Sequence, residues 1–347
     1  MDRLRAHLWH DVPLRPGEVR SLWLLGPPLL VMVLAGLIFE VGASDLAGLQ
    51  AHLARVVSGA AEQDMILGLA ETRARLVWGT AVLMASLAGI ALVVAALVVL
   101  WRSLSLAGFG LYFGIGLLFS LAGGLHLILS GRSDSGIAAV FTFTYGSFAH
   151  SQHLESAELV IVEALVHGLN GLGVSAPAFG LMAACATLSP GPSGHGGDPA
   201  AADLANLQRR MRYLKTLLNL GSAVLVLGIL HLVVWIRWPA ALIPDPAVAR
   251  QILGLSTALG LYWGAAFTLL IVAFYVPASF VISRRAQAVL ARMPGEAGAP
   301  DVQSWMASMG LSIAPAQQLP QIAAMMAPLL AGPVGTLLND LVSPLSG

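Results

Sequence analysis

Four long, plainly apolar stretches of this 347-residue chain contain no Asp, Glu, Lys or Arg: Leu76–Trp101, Leu104–Ser130, Thr216–Trp235 and Leu253–Ser283. A hydrocarbon core about 30 Å thick is crossed by about 20 apolar residues in a helix, in which every backbone polar group is satisfied internally. The four runs therefore read as transmembrane helices. A fifth, Ser21–Val41, contains Pro27-Pro28, which either kink the helix or mark its effective start. A cleavable signal peptide is the rival reading, since Val41-Gly42-Ala43 supplies small residues. The twenty residues before the run are long and mixed in charge for a signal, so a span is preferred. Trp23, Trp78, Trp101, Trp235 and Trp238 stand at the ends of these runs, where an indole favours the headgroup level.

Composition agrees: 57% of residues are hydrophobic, 10% are charged and the mean hydropathy is +0.80, against about 25% charged in soluble proteins. A disordered chain, a secreted disulfide scaffold and an ordinary soluble enzyme are excluded. Eighteen basic and eighteen acidic residues leave no net field, so the bilayer, and not nucleic acid, is the expected partner. All the cations except Lys215 are arginines. The single cysteine, Cys185, lies in the apolar run LMAACATL and reads as a packed thiol.

Ser156–Leu188 decides the topology. It begins with Glu158 and Glu163, carries His167 and Asn170, and becomes charge-free only from Gly168 onward. If it spans, the chain is an all-α polytopic bundle of six transmembrane helices with its N-terminus inside. If it does not, five helices flank a soluble central domain at 131–215. The two arrangements give nearly the same inside excess of Lys and Arg, twelve against six and eleven against seven. The arm with Arg3, Arg5, Arg15 and Arg20 before the first helix favours six spans in an inner membrane, and both arrangements put the C-terminus in the cytoplasm.

The rest of the chain is organised around these spans. Residues 1–20 form a cytoplasmic amphipathic arm, and 21–130 hold the first three spans with an amphipathic helix at 44–58, where Leu46, Leu49, Leu53 and Val56 share a face. Residues 131–188 are a polar-striped re-entrant or transmembrane region, and 189–199 are a Pro/Gly/Ser loop. A juxtamembrane helix and the last two spans occupy 200–283. In that helix Leu204, Leu207, Met211, Leu214 and Leu218 form a heptad seam, either packed within the chain or used for self-association. Residues 284–347 are a packed apolar helical tail on the cytoplasmic side. Asp301 can cap a short helix there, and Pro320–Leu338, with its prolines and glycines, reads as a broken hairpin.

Soluble catalytic signatures such as Walker A, G-x-S-x-G and H-E-x-x-H are absent. Gly110 and Gly114 form a G-x-x-x-G inside a span, a helix-packing signal. Ionisable residues at membrane depth are the best functional pointers, because insertion costs them about 2.5–3.5 kcal/mol each. Glu163, His167 and Asn170 fall on one helical stripe. With six spans, His126 and His231 lie in the same outer half, with His150 and His153 at its mouth.

Three functions fit this pattern. The first is a non-catalytic membrane subunit or scaffold that forms a homo-oligomer or joins other membrane subunits. The second is a pore or carrier with an outer cavity lined by Glu163, His167, Asn170, His126 and His231. The third is a redox subunit holding haem b or a metal through His126, His150, His153 and His231; no motif requires a cofactor.

Overall fold

The computed structural model describes residues 13–43, 65–130, 135–150, 155–189, 199–243, 245–291, 306–313 and 318–342. Among them no strand occurs. The helices are α1 (Pro16–Arg20), α2 (Gly26–Gly42), α3 (Met65–Ser103), α4 (Leu106–Ser130), α5 (Gly136–His150), α6 (Ser156–Ala186), α7 (Pro199–Arg237), α8 (Pro246–Leu290) and α9 (Leu319–Val342). Six segments are long and apolar enough to cross a bilayer: α1–α2 together, α3, α4, α6, α7 and α8. The protein is thus an all-α, multi-pass membrane bundle, and Ser156–Ala186 is one of its candidate spans. The amphipathic helix expected at 44–58 and Asp301 lie outside the described residues.

Local signals account for the boundaries. A 3-10 turn at Ser21–Leu25 leads into α2, whose first turn carries Pro27 and Pro28. The proline pair therefore marks a start, the position where its missing N–H and fixed φ are tolerated. Asp245 caps α8 by accepting the Ala247 N–H at 2.8 Å, with Pro246 at the first helical position. α8 is 45 residues long, about 67 Å at the helical rise, so it projects well beyond the hydrocarbon.

The spans alternate in direction and give the bundle two poles. The proximal pole, where the chain enters, gathers Leu24, Leu104, Tyr112, Leu188, Leu214 and Ala286 into one core cluster. The distal pole gathers Phe39, Trp78, Phe148, Val162, Trp238 and Ile252 into another. All five seam residues of α7, Leu204 to Leu218, are buried inside the proximal cluster, and Cys185 is fully buried beside them.

α9 departs from the expected broken hairpin. It is a single helix despite Pro328 and Pro333, and it lies lengthwise between α7 and α8. Tyr275 donates to Gln318 at 2.8 Å near the proximal pole, while Ala331 packs with Ile229 and Val233 much further along α7. The tail therefore enters at the proximal pole and points toward the distal one. Glycines bring its backbone into close contact with that of α8. A Cβ on Gly264 would sit 2.6 Å from the Pro328 carbonyl oxygen, and one on Gly332 would sit 3.0 Å from the Gly260 carbonyl carbon. Gly260 and Gly264 are a second G-x-x-x-G, and this one is used within the chain.

α4 is the outlier at the periphery. Only 11% of its apolar window is covered by the rest of the chain, against 39% for α7 and for α8. It leans on α6 through Gly116, where an added Cβ would meet Phe179 at 2.9 Å. Gly110 and Gly114 face away: nothing lies within 4 Å of a Cβ built on either.

Candidate functional site

The distal pole holds a buried polar network laced through rings. Glu71 on α3, 2% exposed, accepts both Nε (3.1 Å) and Nη2 (2.8 Å) of Arg75 one turn later, and the indole N–H of Trp238 at 3.1 Å. Arg75 reaches across to Glu158 on α6 at 2.9 Å. One forked guanidinium thus ties α3 to α6 while neutralising a carboxylate that water does not reach. The rings of Trp78, Trp235 and Trp238 pack on one another, and Phe148 lies 4.2 Å from the Trp238 ring. The tryptophan expectation is therefore corrected in part. Trp23 (51%) and Trp101 (44%) are exposed, whereas Trp78, Trp235 and Trp238 are core residues, 3% exposed or less.

His231 belongs to this core. Trp78 donates to its Nε2 at 3.1 Å, and since an indole only donates, the imidazole carries its hydrogen on Nδ1 and is neutral. His126 and His167 do not join it. His167 is on the outer face of α6, 58% exposed in its side chain, 3.6 Å from Glu163. Glu163 also accepts the Tyr145 hydroxyl of α5 at 3.2 Å, and burial together with this carboxylate pushes that hydroxyl above the usual tyrosine range. His126 is exposed on peripheral α4. His231 is enclosed, so the two imidazoles do not face one gap. The side chain of His150, and His153 entirely, lie outside the described residues. Among the described residues no group of three or more His, Cys, Asp or Glu is placed to hold a metal. Glu163, His167 and Tyr145 do form a polar cluster, with Asn170 half-buried further along the same helix.

At the proximal pole Glu18, fully buried, accepts the Ser105 N–H and hydroxyl, both at 2.7 Å, and the Arg15 N–H at 3.0 Å. This anchors α1 to the start of α4, where Gly108 leaves room for the carboxylate. The carboxyl end of α6 is capped from two other helices. Arg210 of α7 donates to the Ala186 and Thr187 carbonyls at 3.4 and 3.0 Å, and Arg285 of α8 donates to Leu188 at 2.5 Å. Cations at a helix C-terminus satisfy orphan carbonyls and oppose the helix dipole.

The described charges separate by pole. Arg15, Arg20, Arg102, Arg209, Arg210, Arg212, Lys215, Arg284 and Arg285 are proximal, with only Glu18 and Asp203 among the acids there. The distal pole carries Glu40, Glu71, Glu155, Glu158, Glu163 and Asp245 against Arg73, Arg75, Arg237 and Arg250.

The sequence reading passed over Glu18, Glu71, Arg75, Arg210 and Arg285. Glu71 and Arg75 were visible as an i, i+4 pair just outside an apolar run, whereas the cross-helix partners of the others carry no local signature.

These features define a polytopic helical membrane protein with a side-chain-filled interior. No protein-family model matches the chain, and neither a curated protein nor a solved structure is significantly similar to it.

Proposed function

We propose that the chain is a non-catalytic inner-membrane subunit that joins a larger helical assembly, homo-oligomeric or with other membrane subunits, through its peripheral helix α4. The observation that carries this is the exposure of α4 together with the open Gly110/Gly114 face, since small residues on a lipid-facing helix let a second backbone approach closely. The seam at Leu204–Leu218 is already buried within the chain and offers no such surface. The proximal pole is the cytoplasmic one, supported by its excess of arginine. The test is crosslinking in native membranes from Gly110→Cys and Gly114→Cys, clean reporters because the one native thiol is buried. A discrete adduct is expected; a chain that stays monomeric at every density overturns the reading.

A second reading, a pore or carrier, is favoured by the cluster of Glu163, His167 and Tyr145, half-exposed polar groups on a membrane-spanning helix and its neighbour. Ion flux in proteoliposomes that is lost in Glu163→Gln and His167→Ala supports it. Flux that both variants leave unchanged removes it. A haem-bearing redox subunit would require His231 to give up its bond from Trp78, and the absorption spectrum of the purified protein tests it.

A further inference from the structure

The proximal rim holds a cleft of about 260 Å³ lined by Gly17, Arg20, Ser21, Trp23, Leu188 and Arg285. It opens where the apolar run of α8 ends and the first span begins, which is the headgroup level of a bilayer. Two guanidinium groups line it, from opposite ends of the chain, and they stand close enough to repel each other. Among the described residues no acidic side chain answers them. Arg20 makes no hydrogen bond or ion pair with any described residue. Arg285 uses one N–H on the Leu188 carbonyl and keeps four other donors. The neighbouring acid, Glu18, is fully buried, its oxygens engaged by Ser105 and the Arg15 N–H. Two like charges held together without a counter-ion among the described residues call for an external anion, and forked donors suit the oxygens of a phosphate.

The apolar side of the cleft says where that phosphate comes from. Trp23 is 51% exposed, an amphipathic ring at the depth where headgroup meets acyl chain. Further along the same span, Leu30 and Val33 are each 59% exposed toward the bilayer. A free anion would use only the arginines, whereas a lipid would use the whole surface.

We infer that this cleft binds the phosphate of an anionic glycerophospholipid between Arg20 and Arg285, with its acyl chains passing Trp23 onto α2. The site is independent of whether the chain is a subunit or a carrier. The test uses the full chain in detergent, stripped of endogenous lipid and titrated with phosphatidylglycerol, with occupancy read by native mass spectrometry. Wild type retains the lipid, and Arg20→Gln weakens retention about tenfold at unchanged unfolding temperature, since Arg20 holds no partner among the described residues. Arg250→Gln, on the other pole, binds as wild type. Equal retention of phosphatidylcholine, or full retention by Arg20→Gln, overturns the site. Displacement of phosphatidylglycerol by inorganic phosphate overturns the lipid as occupant and assigns the cleft to the free anion.

Discussion

The indole of Trp78 on α3 donates its only hydrogen to Nε2 of His231 on α7, at 3.1 Å, in a core where the two residues are 3% and 9% exposed. The bond joins two spans at membrane depth and fixes the tautomer of the histidine. Trp78→Phe keeps an aromatic ring in place but strands a buried acceptor, which costs about 1–3 kcal/mol. Adding His231→Leu removes the stranded group, so the double variant is expected to be more stable than Trp78→Phe alone. Denaturation in one detergent measures both. If Trp78→Phe unfolds with wild type, the bond contributes nothing.

Glu71 has a different dependence, because its charge is 2% exposed while Arg75 is 31% exposed in its side chain. Arg75→Gln leaves a carboxylate facing the Trp238 indole without its guanidinium, and removing one partner of a buried pair costs about 3–5 kcal/mol. The open side of Arg75 lets water reach part of the gap, which places the expected loss below that range, at about 2–3 kcal/mol. Glu71→Leu on that background should restore part of it. A loss below about 1 kcal/mol would show that solvent screens the whole network.

The spans were legible because hydrocarbon thickness dictates a long apolar run, and that holds even for α6, whose Glu163 and His167 point outward toward α5 and not into the core. What was hidden depends on neighbours. Gly110/Gly114 and Gly260/Gly264 are the same pattern in sequence, yet only the second touches another backbone of this chain. Hydropathy likewise treats Trp101 and Trp238 alike, although one is exposed and the other encloses Glu71. The tail was misread for a related reason. Pro328 and Pro333 argue for a break in an isolated helix, but α9 packs one face, from Gln321 to Gly332, against α7 and α8, and packing overrides propensity.

Glu163 and His167 are expected to behave unlike the two buried networks. Their side chains are 44% and 58% exposed and 3.6 Å apart, so Glu163→Gln and His167→Ala should shift stability by no more than about 0.5 kcal/mol. Retained stability in both variants makes them clean probes for the flux measurement. A loss several times larger would assign the pair a structural duty instead.

The two G-x-x-x-G motifs separate fold from assembly. A methyl on Gly264 meets the Pro328 carbonyl oxygen at 2.6 Å and the Leu329 Cα at 3.1 Å. These are backbone atoms that cannot rotate aside, so α9 must retreat. Gly264→Ala is expected to cost about 1–3 kcal/mol and to raise the labelling rate of Ala331→Cys, a position now 4% exposed. Gly110→Leu and Gly114→Leu meet nothing within 4 Å of the new Cβ, so the folded monomer should tolerate them while any adduct formed through α4 is lost. Persistence of that adduct in both leucine variants would move the assembly surface off α4. Unchanged labelling in Gly264→Ala would show that α9 is not held by the glycine contact.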